Sequence, residues 1–185
     1  MTKFHTTDAL TMQTYTGLLV NPLQLHLEPH RIMLDDICHA LALINRYGGH
    51  TPYPYSVAQH SLLVGSILPP ELRLWGLLHD AAEAYLGDMI APLKRQMHYY
   101  GFCDVNLTAA IAEKYRLPWP MPPDIKTADL AVGAAECLEF GIPVNAGRLT
   151  GPAAVTIEYV EWETARDDLR RAITVEIARK VLHGA

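Results

Sequence analysis

The segment Glu71-Leu-Arg-Leu-Trp-Gly-Leu-Leu-His79-Asp80-Ala-Ala-Glu83-Ala-Tyr-Leu-Gly87 constrains the fold more than any other stretch of the chain. It reads as one helix from Glu71 to Gly87. From Leu74 onward its apolar residues occupy every face, and a helix apolar all round is normally buried. Yet it carries His79, Asp80 and Glu83. At about 100° per residue these three share one arc of about 100°, flanked by Trp75, Ala82 and Leu86. That arc therefore faces the core or a pocket. An unpaired buried carboxylate costs many kcal/mol or takes up a proton. The face must meet a metal ion, an Arg or Lys, or a shared proton. The alternative is a surface-breaking polar patch with ordinary salt bridges, but the helix has no other solvent-facing stripe.

The flanking sequence predicts further helices. Ser56 can cap a helix from Val57 to about Leu68, stopped by Pro69-Pro70. His60 shares a stripe there with Val57, Val64 and Ile67. A lone His on an apolar face is more often a packing residue than a ligand. However, antiparallel neighbours joined by a short turn pack together, which brings His60 toward His79 and Asp80. Asp35 or Asp36 can open a helix to about Tyr47, with Ile37, Leu41 and Ile44 inward and Gly48-Gly49 as its stop. Asp104 can open another, to about Tyr115. Pro118 to Pro123 form a rigid connector. A helix follows from about Asp124 to Phe140, placing Asp129 on the stripe of Ile125 and Val132, where an i,i+3 surface pair with Lys126 is the competing role. Residues 141–157 form the longest loop. The last helix runs from about Glu158 to Leu182, with Trp162, Ala165, Leu169 and Ile173 on one stripe. Residues 14–20 can make a short strand or hairpin. The expectation is a single all-α domain over residues 1–185, with a possible short N-terminal β-hairpin.

Composition narrows the function classes. The chain has 185 residues, 50% of them hydrophobic, which excludes disorder and supports one sizeable core. No apolar run reaches the roughly 18 residues that span a bilayer, so no membrane partner is expected. A net charge of −5 without a Lys/Arg block argues against a polymeric nucleic acid but not against one nucleotide. The three cysteines, Cys38, Cys103 and Cys137, are scattered and form no CxxC pair. With no signal-peptide h-region in Met1-Thr2-Lys3-Phe4-His5, they predict a cytoplasmic protein. Cys137 reads as a small core residue.

The pattern of an isolated His, an adjacent His-Asp doublet and a distant Asp (His60, His79-Asp80, Asp129) resembles the HD-domain phosphohydrolase superfamily. Tyr55-Ser-Val-Ala-Gln-His60-Ser, Leu77-Leu-His79-Asp80-Ala-Ala-Glu83-Ala-Tyr-Leu-Gly87-Asp88 and Pro92-Leu-Lys94 are similar to its 5′-deoxynucleotidase-like branch of small bacterial and phage enzymes. The similarity covers roughly residues 35 to 140. It implies that His60, His79, Asp80 and Asp129 are metal ligands. Two imidazoles and two carboxylates suit a divalent first-row ion, with Mn, Co, Fe, Ni and Zn all compatible. The resemblance further implies Glu83 as the carboxylate that positions or deprotonates the attacking water and Asp88 as a second catalytic carboxylate. An N-cap role for the segment beginning at Met89 is the alternative for Asp88. Arg46 matches an Arg that holds phosphate or sugar, although a helix C-terminus also favours Arg. Lys94 is a second phosphate contact or a solvated Lys. His50 lines the nucleotide pocket or merely follows a flexible turn. His5, His26, His30, His39, His98 and His183 match no motif.

The implied activity is metal-dependent hydrolysis of a deoxynucleotide phosphate ester or anhydride. The substrate is a monophosphate or a triphosphate, with dAMP and dATP the first to test. A phosphodiesterase acting on cyclic or linear dinucleotides and a non-catalytic nucleotide-binding module are the alternatives. A homo-oligomer is expected by resemblance.

Overall fold

The computed structural model describes residues 10–23, 28–143 and 151–182. His5, His26 and His183 lie outside the described residues, as does the 144–150 part of the expected long loop. The protein is mostly helical, with one small hairpin. Strands β1 (Met12–Gln13) and β2 (Leu19–Val20) pair antiparallel, Met12 opposite Val20 and Gln13 opposite Leu19. The helices are α1 (Leu34–Leu43), α2 (Val57–Ile67), α3 (Pro70–Leu78), α4 (Glu83–Leu86), α5 (Ala91–Lys94), α6 (His98–Lys114), α7 (Pro123–Phe140) and α8 (Trp162–Leu182). No helix among the described residues is long and apolar enough to cross a membrane.

Local chemistry sets most of these limits. Ser56 and Gln59 form a reciprocal capping box at the start of α2: the Gln59 backbone N–H donates to the Ser56 hydroxyl, and the Ser56 backbone N–H donates to the Gln59 side-chain oxygen. Pro70 sits at the first turn of α3, where its missing N–H costs nothing. Gly141 ends α7 in the left-handed conformation. The core is a layer of Ile37, Leu41, Val57, Leu78, Ile111, Leu169 and Ile173 from α1, α2, α3, α6 and α8. A second cluster, with Val64, Trp75, Ile125 and Val132, seats α7 against α2 and α3.

Helices α2 and α3 pack tightly at two glycines, Gly65 and Gly76. A Cβ built on Gly76 would lie 2.5 Å from Leu68 Cδ1 and 3.0 Å from Gly65 Cα. The absence of two methyl groups thus lets the helix that carries His60 lie against the one that leads into His79.

Four helix limits differ from the sequence expectation, each for a local reason. Helix α1 stops at Leu43 rather than Tyr47. Ile44 and Asn45 turn extended, the Arg46 N–H donates to the Tyr55 carbonyl, and the Val57 N–H donates to that of Ile44. Arg46 therefore occupies a short bridge between two segments and no helix C-terminus. The helix predicted over 71–87 breaks into α3 and α4. At the intervening residues the bonds shorten to i→i+3, with the Ala81 N–H on the Leu78 carbonyl and the Glu83 N–H on that of Asp80. Helix α6 begins at His98, six residues before Asp104, whose carboxylate pairs with Lys94 and caps nothing. Helix α8 begins at Trp162 rather than Glu158, whose carbonyl accepts from the Gln59 side-chain amide at the start of α2.

Candidate metal centre

Three elements converge on one point. Helix α2 delivers His60, fully buried. The tight turn after α3 delivers His79 and Asp80, and α7 delivers Asp129. One ligand atom each from His60, His79 and Asp129 lies within 4.8 Å of the others. Asp80 Oδ2 joins them, 3.1 Å from His79 Nε2 and 3.8 Å from His60 Nε2.

The two rings are oriented from behind. The Nδ1–H of His79 donates to the Gly76 carbonyl at 2.8 Å, one turn back on its own helix. That bond leaves Nε2 with a lone pair. The atom is buried and has no hydrogen-bond partner, although Asp80 lies beside it. A lone pair against a carboxylate repels unless a proton or a cation stands between them. The Nδ1 of His60 meets Glu136 Oε1 at 2.6 Å, which turns His60 Nε2 toward Asp129 Oδ1 at 3.1 Å. A buried imidazole nitrogen that faces a carboxylate, a second imidazole aimed at the same point and two adjacent carboxylates could hold a metal ion.

Asp129 pairs with Lys126 and still faces the cluster. Its Oδ2 pairs with Lys126 at 2.5 Å while Oδ1 faces His60. Burial opposes ionisation of Asp80 and Asp129, but the histidines outweigh it and hold both carboxyls below their usual range. Burial and Arg46 push His60 toward its neutral form. Glu136 and Asp129 reverse this and raise it to about 9.

Asp80 and Asp129 of the cluster line a cavity of about 340 Å³, together with Arg46, Tyr47, Glu83, Asp88, Lys94 and Cys137, and the two histidines lie behind them. Glu83 is buried, with Oε2 lacking any partner. Burial, then Asp80 and Asp88, pushes its carboxyl well above the ordinary range, so a cation nearby would favour the ionised form. Asp88 is also raised by burial, partly offset by Arg46. It follows Gly87, whose φ of +76° turns the chain sharply after α4. The N-cap of α5 is Ile90, so Asp88 does not serve as that cap. Lys94 bonds Asp104 at 3.0 Å and lies 4.0 Å from Glu83 Oε1.

Arg46 reaches the cavity from its bridge. Its Nε and Nη2 donate to Glu136 Oε2 at 3.1 and 2.9 Å, while Nη1 lies 3.8 Å from Asp80 Oδ2. His50 departs from expectation: it is exposed and does not line the cavity. Tyr47 and Gly48, both with positive φ, reverse the chain and carry His50 outward.

Sequence reasoning passed over Glu136, Tyr47 and Tyr55. Glu136 is fully buried, and Tyr47 and Tyr55 both donate their hydroxyls to it, at 2.7 and 3.0 Å. The available signal was its position seven residues after Asp129, two turns along the same face of α7. Cys137, expected in the core, is half-buried and lines the cavity.

No family model matches the chain. It is similar to the uncharacterized protein YfdR of Escherichia coli, 41% identical over 111 residues, 60% of this chain and 62% of that protein. It is also similar to an uncharacterized protein of Rhodobacter capsulatus, 43% identical over 110 residues, 54% of this chain and 56% of that protein. The aligned region thus spans less than two thirds of either relative.

Proposed function

We propose that the chain is a divalent-metal-dependent phosphohydrolase of the HD-domain kind, acting on the phosphate of a single deoxynucleotide. The observation that carries this is the buried, unpartnered Nε2 of His79. It stands beside His60, Asp80 and Asp129, and the two aspartates line a cavity with two further acids, Glu83 and Asp88, and two cations, Arg46 and Lys94. A bare metal site would not need the extra acids and cations. Hydrolysis of an anionic ester would use both.

His60, His79, Asp80 and Asp129 would hold the ion. When bound, it would polarise a phosphate oxygen and lower the pKa of a coordinated water. Glu83 orients and accepts a proton from the attacking water. Asp88 exchanges a proton with the reacting groups. Arg46 presents its Nη1 edge to phosphate charge, and Lys94 adds a second positive group. About 340 Å³ lies at the small end of ligand cavities and favours one nucleotide over a dinucleotide.

The test is a panel of deoxynucleoside mono- and triphosphates and cyclic dinucleotides, with Mn²⁺ or Co²⁺ supplied and products quantified. Phosphate release from dAMP, or phosphate, pyrophosphate or triphosphate from dATP, supports the reading and identifies the bond cut. No turnover of any deoxynucleotide refutes it. Turnover of dinucleotides alone would make the protein a phosphodiesterase.

A further inference from the structure

We infer that Glu136 is the positioning residue of the metal centre, holding the His60 ring so that Nε2 faces the ion. The inference rests on the metal-centre reading above and deepens it. Glu136 does not itself line the cavity; it bonds Arg46 and Tyr47, which do, and meets His60 at Nδ1, the nitrogen turned away from Asp129. It works from behind the ring.

Its carboxylate is fully buried and receives five donors. Oε1 accepts from His60 Nδ1 at 2.6 Å and from the Tyr55 hydroxyl at 3.0 Å. Oε2 accepts from Arg46 Nε and Nη2, at 3.1 and 2.9 Å, and from the Tyr47 hydroxyl at 2.7 Å. Ring nitrogens that bind a metal commonly take their orientation from such a bond on the opposite nitrogen. His79 obtains that bond from its own helix, through the Gly76 carbonyl. His60 finds it only in Glu136, 76 residues away. A carboxylate buried this deeply needs a counter-charge, and the Arg46 guanidinium supplies it. Tyr47 adopts a φ of +56°, a conformation uncommon for a non-glycine residue, and its hydroxyl lands on Glu136.

Glutamine is the informative replacement. Both carboxylate oxygens accept from donors on their own sides, so a carboxamide sets its NH₂ against a donor in either orientation. It must disturb His60 or Arg46. Co²⁺ titrated into metal-free wild type and Glu136→Gln, followed by calorimetry and by the visible Co²⁺ absorption, reads the effect without any substrate. The expected loss of affinity is about 10–100-fold.

Glu176→Gln is the control for mere loss of a buried acid. Glu176 on α8 is also buried and pairs with Arg179 and Arg73, outside the site. It should lower the melting temperature and leave Co²⁺ affinity unchanged. If Glu136→Gln does not fold, Arg46→Met against Arg46→Met/Glu136→Gln makes the same comparison with the charge pair removed together. Co²⁺ affinity within two-fold between the compared proteins overturns the inference while the metal centre stands. An equal loss in Glu176→Gln overturns it as well. Wild type that takes up no Co²⁺ removes the metal centre and the inference with it.

Discussion

Glu83 and Cys38 are both buried, yet their surroundings give them opposite chemistry. Glu83 is closed off from water but opens onto the cavity, with one oxygen unpartnered. Its side chain is not in the compact group of His60, His79 and Asp129. Glu83→Ala should therefore keep the ion and lose about 10²–10⁴-fold in turnover, whereas Asp80→Ala should lose both. Metal content by elemental analysis beside turnover separates the two roles, and loss of metal from a folded Glu83→Ala would make Glu83 a ligand. Cys38 is fully buried under α8, and burial followed by Asp35 drives its thiol up to about 12. A raised thiol pKa means less thiolate at every lower pH, so Cys38 stays unreactive across the neutral range. Cys137 borders the cavity and is half-buried. Iodoacetamide at pH 8 should modify Cys137 before Cys38 in the native protein and reach all three cysteines after denaturation. Mass spectrometry of the peptides gives the order, and early labelling of Cys38 would contradict its placement.

At the scale of elements, the site depends on how closely α2 and α3 approach. The Gly76 position offers only 2.5 Å to Leu68 Cδ1 and 3.0 Å to the Gly65 backbone. Backbone cannot move aside as a flexible side-chain tip does, so Gly76→Ala should cost about 1–3 kcal/mol by urea unfolding. It should also weaken Co²⁺ binding, because the Gly76 carbonyl orients His79. Gly101, in α6 with nothing within 4 Å of a Cβ there, gives the contrast. Gly101→Ala should stabilise by about 0.4–1 kcal/mol and leave the ion untouched. The signals that made α2 readable were local: Ser56 and Gln59 three apart, then two prolines. The candidate cluster was legible because a His-Asp doublet stood on a helix with no wet face. The end of α1 was not, because the β-bridge between Asn45 and Ser56 overrides a helical pattern continuing to Tyr47. The start of α6 was missed because Asp104 resembles a cap, while its real partner, Lys94, lies on another element. Glu136 escaped because its five donors come from α2 and the segment before it, a convergence that exists only once the chain is folded.

The whole molecule carries a net charge of −5, and it gathers Asp80, Glu83, Asp88 and Asp129 around one cavity, with Glu136 buried behind it. Glu136 is offset by Arg46, and Asp129 in part by Lys126. Asp80 and Asp88 raise the cost of ionising Glu83, and Asp80 that of ionising Asp88, with Lys94 bonded mainly to Asp104. The folded state therefore concentrates negative charge that the unfolded chain would disperse. A cation held there binds the folded form and not the unfolded one. Mass action then stabilises the fold, by about 2.7 kcal/mol at a hundred-fold excess over Kd. For a domain of this size that is a rise in Tm of about 5–11 °C. Differential scanning calorimetry with Mn²⁺ or Co²⁺ added, and then with EDTA, should give the rise and its reversal. The effect should disappear in His79→Ala, which lacks the buried imidazole nitrogen that faces Asp80, and should persist in Lys126→Ala. An equal rise with His79→Ala would assign the stabilisation to diffuse screening of surface acids and would leave the His60, His79 and Asp129 cluster without an ion.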